Sequence, residues 1–212
     1  MLNYYHLGAE EMGIRVYKNA ITDCVDVLKT ISSTIDASLN PSLKWNQAMV
    51  GHNQLMPDYR NCWDCKLSSS TVESMSQECN EFKEAYSKIV MSIGSCVENF
   101  SHSYGLNMTY MEAVNFVKYG VGEHFDVHSD HGFSYICTVS TVAYLNDNYE
   151  GGELWFNRLD QKIKPETGDI VVFPSAFIYS HASLPVKSGV KYSAVTMFDY
   201  NDATHKAGGY SG

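Results

Sequence analysis

The sequence predicts a mainly β fold with flanking helices (α+β), in which helices of the first half support a β-sandwich or jelly roll in the second. Three observations carry that expectation. Apolar residues before about Thr109 recur at helical three- and four-residue steps, whereas after it they alternate or run in short β-branched stretches. Turns bearing Gly120, Gly122, Asn146, Gly151, Gly152, Gly168 and Gly189 cut the second half into strand-length pieces. A chain of 212 residues, 44 % hydrophobic and only 18 % charged, can also bury one large core without disulfide or metal support.

The elements follow in order. Thr22 is a plausible N-cap for a helix carrying Val25, Leu28, Ser32 and Ile35 on one face, ending before Asn40 and Pro41. Trp45 to Leu67, interrupted by Gly51 and Pro57, reads as irregular with a strand or two. A longer helix is expected from about Met75 to Phe100, with Phe82, Tyr86, Ile89, Ile93, Val97 and Phe100 as its buried stripe. Strands are expected around Val114 to Val117, Ile136 to Leu145, Leu154 to Phe156, Ile170 to Phe173 and Val190 to Phe198. No repeat or linker divides the chain, so we expect a single domain over 1–212: a mostly helical support region over 1–108 and a β core over 109–200. The tail Ala207 to Gly212 is expected to fray.

Composition removes several function classes. With 24 acidic against 15 basic residues the formal charge is −9, which repels polyphosphate and argues against a nucleic-acid partner. No apolar run approaches a membrane span and no signal segment is seen, so neither a membrane partner nor secretion is expected and the expected location is cytoplasmic. The six cysteines lack a secretory context for a disulfide framework, and Cys62 with Cys65, a CxxC without a second metal-binding pair, reads as two partly buried thiols.

The eight histidines carry the chemistry. Tyr119 to His131 holds His124, His128 and His131 with Asp126 and Asp130, and Gly120 and Gly122 disfavour a helix there. In an extended chain, residues two apart share a face, so His128 and Asp130 offer an imidazole and a carboxylate to one side while His131 faces away. A third ligand would complete the 2-His-1-carboxylate face associated with non-haem Fe(II) oxygenases. His181 follows a predicted strand ending at Pro174, and Lys191 lies ten residues later on another strand, unusual for an ammonium unless it meets an anion. His6, His52, His102 and His205 read as surface or capping groups, Trp155 and Phe156 as sheet-core aromatics, and Asp199, Tyr200 and Asp202 as a solvated strand end.

Further landmarks are Tyr119 nine residues ahead of His128-x-Asp130, Val142-Ala-Tyr-Leu-Asn146, Gly151-Gly-Glu153, Pro165 with Gly168-Asp169, Pro185-Val186 and Lys191. In these, residues 115 to 198 resemble the prolyl 4-hydroxylase-type Fe(II)/2-oxoglutarate-dependent dioxygenases, and the compact chain is most similar to the small stand-alone bacterial and viral members. The resemblance implies a double-stranded β-helix (jelly-roll) core supported by N-terminal helices. It implies Fe(II) held by His128, Asp130 and His181, and 2-oxoglutarate paired with Lys191 and assisted by the hydroxyls of Tyr119 and Tyr144. Dioxygen would be consumed, with ascorbate as an auxiliary reductant and no catalytic residue beyond the metal centre. The implied reaction is 4-hydroxylation of a prolyl residue in a peptide or protein, releasing succinate and CO2. Two positions depart from the family pattern: Cys137 stands where an arginine is common, and Met197 where a tryptophan is common. The readings that stand beside this one are a 2-oxoglutarate dioxygenase acting on another side chain or small molecule, and a non-catalytic metal-binding jelly roll. The sequence leaves the oligomeric state open.

Overall fold

A computed structural model describes residues 2–51, 53–132, 135–203 and 205; His52 and the tail Ala207 to Gly212 lie outside the described residues. Eight strands build two facing sheets: β1 (Val114–Tyr119), β2 (His124–His128), β3 (Val139–Tyr144), β4 (Leu154–Phe156), β5 (Gln161–Ile163), β6 (Ile170–Pro174), β7 (His181–Ser183) and β8 (Lys191–Asp199). The larger sheet runs β6-β3-β8-β1 and the smaller β5-β4-β7-β2, every neighbouring pair antiparallel. Consecutive strands thus alternate between sheets except at the β4-β5 hairpin, which is the jelly-roll arrangement.

Alternation explains each strand's two faces. In β1, Val114 and Phe116 enter the core beneath the helices, while Asn115, Val117 and Tyr119 line the space between the sheets. The register carries that inner face across the sheet, because Tyr119 pairs with Lys191, Val117 with Ser193 and Ser193 with Tyr144. Strand β3 is buried at all six positions, since helices cover one side and the smaller sheet the other.

The helices cover the outer face of the large sheet. Helix α1 (Cys24–Ala37) buries Cys24, Val27, Ile31 and Ile35, and Val25 is 71 % exposed. The predicted stripe is therefore turned by one residue, because two overlapping helical stripes exist and the one containing Val27 and Ile31 buries more apolar surface. Helix α2 (Asn80–Tyr104) buries all six residues expected of it, starts after a 3-10 turn over Gln77–Cys79, and ends at Gly105, whose φ of 64° closes the last turn.

The support region is less helical than its periodicity suggests. Tyr4–His6 and Arg15–Tyr17, where no strand was expected, extend the large sheet beyond β6; within the Trp45 to Leu67 stretch, where a strand or two was expected, Trp63–Leu67 with Asn46–Gln47 extends it beyond β1 and Arg60–Asn61 adds to the smaller sheet beside β2. Edge strands of two or three residues are too short for their alternation to stand out from a helical background. Cys62 and Cys65, three apart on this extended segment, point to opposite faces and pack in different clusters as free buried thiols.

Two further expectations change. Asp199 is only 8 % exposed, accepting from the Thr138 hydroxyl at 2.8 Å and lying 3.2 Å from His205 Nε2; His205 in turn stacks on Tyr110. Both residues are held by partners distant in sequence, which no local pattern reveals. Trp155 is half-buried beneath the Lys162 ammonium, whereas Phe156 is wholly buried. Among the described residues no helix is long and apolar enough to cross a membrane.

Candidate metal and cosubstrate site

His128 ends β2 and His181 begins β7, and the two are direct partners in the antiparallel ladder, which brings their ring centroids to 4.4 Å. Asp130 follows two residues after His128, with one carboxylate oxygen 3.5 Å from His128 Nε2 and the other 3.9 Å from His181 Nε2. The ligand atoms of this trio all lie within 4.8 Å of one another, and among the described residues they form the one cluster able to hold a metal ion.

Backbone carbonyls set the tautomers. His128 Nδ1 lies 2.8 Å from the Asp126 carbonyl and His181 Nδ1 3.0 Å from the Tyr179 carbonyl. Each ring can donate at Nδ1 and so present a lone pair at Nε2, as a metal requires. Burial pushes His181 down to about 4, keeping its imidazole neutral near pH 7. Burial alone would raise the Asp130 carboxyl, but His181 and His128 beside it hold it well below the usual carboxylate range. Phe156 and Phe173 wall the His181 ring at 5.7 and 4.9 Å.

A cavity of about 560 Å³ opens from this trio toward the large sheet, and Lys191, Tyr119, Tyr144 and Ser183 line it. Lys191 is 2 % exposed and donates to the Gly152 carbonyl and the Ser183 hydroxyl, both at 2.8 Å. Its ammonium lies 5.0 and 5.3 Å from the ring centres of Tyr119 and Tyr144. Among the described residues no carboxylate lies within 4 Å of it, and burial pushes its pKa down to about 7. The Tyr144 hydroxyl is buried without a partner, and burial raises both tyrosines. A buried ammonium and an orphaned hydroxyl in one cavity fit an anionic ligand and are costly without one.

All six sequence-expected site residues therefore converge. Ser183 was missed, because a serine two residues beyond a candidate ligand gives no signal until β7 is known to face Lys191. The Gly151-Gly152 pair also finds its reason: with φ of 71° and 65° it turns a carbonyl onto Lys191. His124 lies near the Gly122 and Asp58 carbonyls, and His131 Nδ1 bonds the Cys137 carbonyl at 2.7 Å; both stand outside the trio.

Residues 114–199 match the family model of the 2OG-Fe(II) oxygenase superfamily. The matched segment contains the entire trio together with Lys191, Tyr119 and Tyr144, while the helices and the extending strands precede it. Over 123 residues the chain is 32 % identical to a putative prolyl 4-hydroxylase of Acanthamoeba polyphaga mimivirus, covering 48 % of this chain and 50 % of that one. The chain thus spans about half the length of this curated relative. Among solved structures, a prolyl hydroxylase from Trichoplax adhaerens, in complex with a hypoxia inducible factor oxygen degradation domain peptide fragment, superposes with a TM-score of 0.70 at 16 % identity, covering 89 % of this chain and 84 % of the other. A viral collagen prolyl hydroxylase from Paramecium Bursaria Chlorella virus-1, in its 2OG complex, gives 0.60 at 20 % identity over 90 % and 98 %. A Pseudomonas putida prolyl-4-hydroxylase gives 0.63 at 18 % over 89 % and 94 %. At these identities the structural likeness establishes the shared fold, the jelly roll.

Proposed function

We propose that the protein is an Fe(II)- and 2-oxoglutarate-dependent dioxygenase that hydroxylates peptidyl proline. The observation that carries this reading is a buried lysine without a carboxylate partner, in the same cavity as a 2-His-1-carboxylate trio. His128, Asp130 and His181 would hold the metal. When bound, the metal would supply the redox chemistry by which dioxygen, 2-oxoglutarate and a substrate C–H give succinate, CO2 and the hydroxylated substrate, one oxygen atom going to each of succinate and the C–H carbon.

The protein's own groups do the rest. Lys191 supplies the positive charge for the distal carboxylate of 2-oxoglutarate, positioned by Ser183 and the Gly152 carbonyl. The unpartnered Tyr144 hydroxyl donates to the same anion, with Tyr119 beside it. Phe156, Phe173 and Val142 keep the metal side of the cavity apolar and exclude water.

A proline-containing peptide is the substrate class that the named relatives support. The test is incubation with Fe(II), ascorbate, 2-oxoglutarate and a proline-peptide library, following succinate and one-oxygen mass gains on peptide. Both are expected. No 2-oxoglutarate turnover would remove the dioxygenase reading, and turnover without peptide hydroxylation would move the substrate to another side chain or a small molecule.

A further inference from the structure

The inner face of the large sheet carries a second polar group that neither metal nor 2-oxoglutarate uses. Asn115 lies four residues before Tyr119 on β1, roughly 13 Å away at about 3.3 Å per residue, and lines the same cavity. Asp64, on the neighbouring strand Trp63–Leu67, accepts from Asn115 Nδ2 at 3.3 Å and from Arg60 Nη2 at 3.0 Å on a single oxygen, Oδ2. Arg60 is further fixed by donating Nη1 to the Met49 carbonyl at 2.7 Å and by lying 4.9 Å over the Phe125 ring.

Two buried polar atoms of these anchored groups make no hydrogen bond. Arg60 Nε and Asn115 Oδ1 are both buried and both without a hydrogen-bond partner; the Cys62 thiol beside the guanidinium is a weak acceptor. Flipping the Asn115 amide does not help, because Oδ1 would then face the Asp64 carboxylate. The surrounding charges cancel: Arg60 pairs with Asp64 at 3.0 Å and Lys66 with Glu112 at 3.5 Å, all four lining the cavity. A wall with no net charge does not select an ionic ligand. A donor and an acceptor held side by side on one carboxylate match the N–H and C=O of one residue in an extended chain, which point to the same side.

We infer that Arg60 and Asn115 read the main chain of one substrate residue, Arg60 Nε donating to its C=O and Asn115 Oδ1 accepting from its N–H. This rests on the proposed reading of a proline-containing peptide substrate and sharpens it. Proline has no N–H, so the residue at this wall must be one other than proline, and an uninterrupted proline run leaves Asn115 Oδ1 unpaired.

The test uses the full chain with Fe(II) and 2-oxoglutarate under nitrogen, and fluorescein-labelled dodecapeptides titrated by anisotropy. One peptide alternates proline and alanine, a second is all proline, and a third set carries a single N-methyl group at each alanine in turn. The alternating peptide is expected to bind about ten- to a hundredfold tighter than oligoproline, the range for leaving one buried polar group unpaired. One N-methyl position should cost a similar factor. Asn115→Ala should erase that difference, whereas Asn115→Asp, which keeps an acceptor, should restore part of it. Equal binding of all peptides to the wild-type chain would overturn the amide assignment while leaving the peptide reading intact. Binding of none would overturn both. Should the Asn115 variants fail to fold, the N-methyl series on the wild-type chain decides alone.

Discussion

Tyr144 holds a hydroxyl that is buried and unpartnered, and this fixes what its removal should do. Tyr144→Phe should raise the melting temperature of the ligand-free protein by a few degrees, since an unsatisfied buried polar group costs about 1–3 kcal/mol. The same change should weaken 2-oxoglutarate binding about tenfold, and a variant that binds it as tightly as wild type would separate this hydroxyl from the anion. Lys191 gives a pH dependence. Its pKa in the free protein is about 7, and the anion needs the ammonium form. Affinity should therefore be flat below pH 7 and fall up to about tenfold per pH unit above it, with proton uptake visible by calorimetry in buffers of different ionisation enthalpy. His128→Ala should abolish Fe(II)-dependent 2-oxoglutarate turnover, and succinate release at the wild-type rate would remove His128 from the metal site.

At the scale of elements, β2, β7 and the glycine turn before β4 set the site. His128 and His181 meet because their strands pair there, and Lys191 meets Gly152 because the turn takes positive φ at two successive residues. A Cβ added at Gly151 would lie 2.4 Å from the Pro185 carbonyl oxygen at a φ of 71°. Gly151→Ala should destabilise the fold by more than about 1 kcal/mol, read as a lower urea midpoint, and should displace the Lys191 anchor. The strongly periodic elements were legible from the sequence: α2 buries every residue expected of it, and β4 was bounded correctly. Periodicity failed where it was short or degenerate. Three-residue strands such as Tyr4–His6 carry no usable alternation, and α1 has two overlapping stripes of which only packing selects one.

For the whole molecule, the site is bought at a cost in ligand-free stability. His181 has a folded pKa near 4 against an ordinary 6.5, so its contribution is full above pH 6.5 and is lost as pH falls toward 4. Lys191, near 7 against an ordinary 10.5, contributes fully only above 10.5 and loses that as pH falls toward 7. From these two groups, the melting temperature of the ligand-free protein should climb by several degrees between pH 5 and 9, below the range of base denaturation. 2-Oxoglutarate should flatten the part of the climb above pH 7, because the anion restores the ammonium of Lys191, whereas a metal ion keeps the part below it, because it binds His181 in the neutral form. A scanning calorimetry series with and without both ligands checks this. From the sequence came a β-sandwich or jelly-roll class and the two long helices, because strand alternation and helical period are local properties of the chain, and six candidate site residues, which the resemblance of residues 115 to 198 to a known family implied. Only the tertiary structure decided that Lys191 lacks a carboxylate partner, that Ser183 and Gly152 hold it, and that Asp199 and His205 are joined. It also brought Arg60, Asp64 and Asn115 to one wall of the cavity. Those are pairings between residues up to 51 positions apart, such as Asn115 with Asp64, set by strand register and the closing of two sheets on one another.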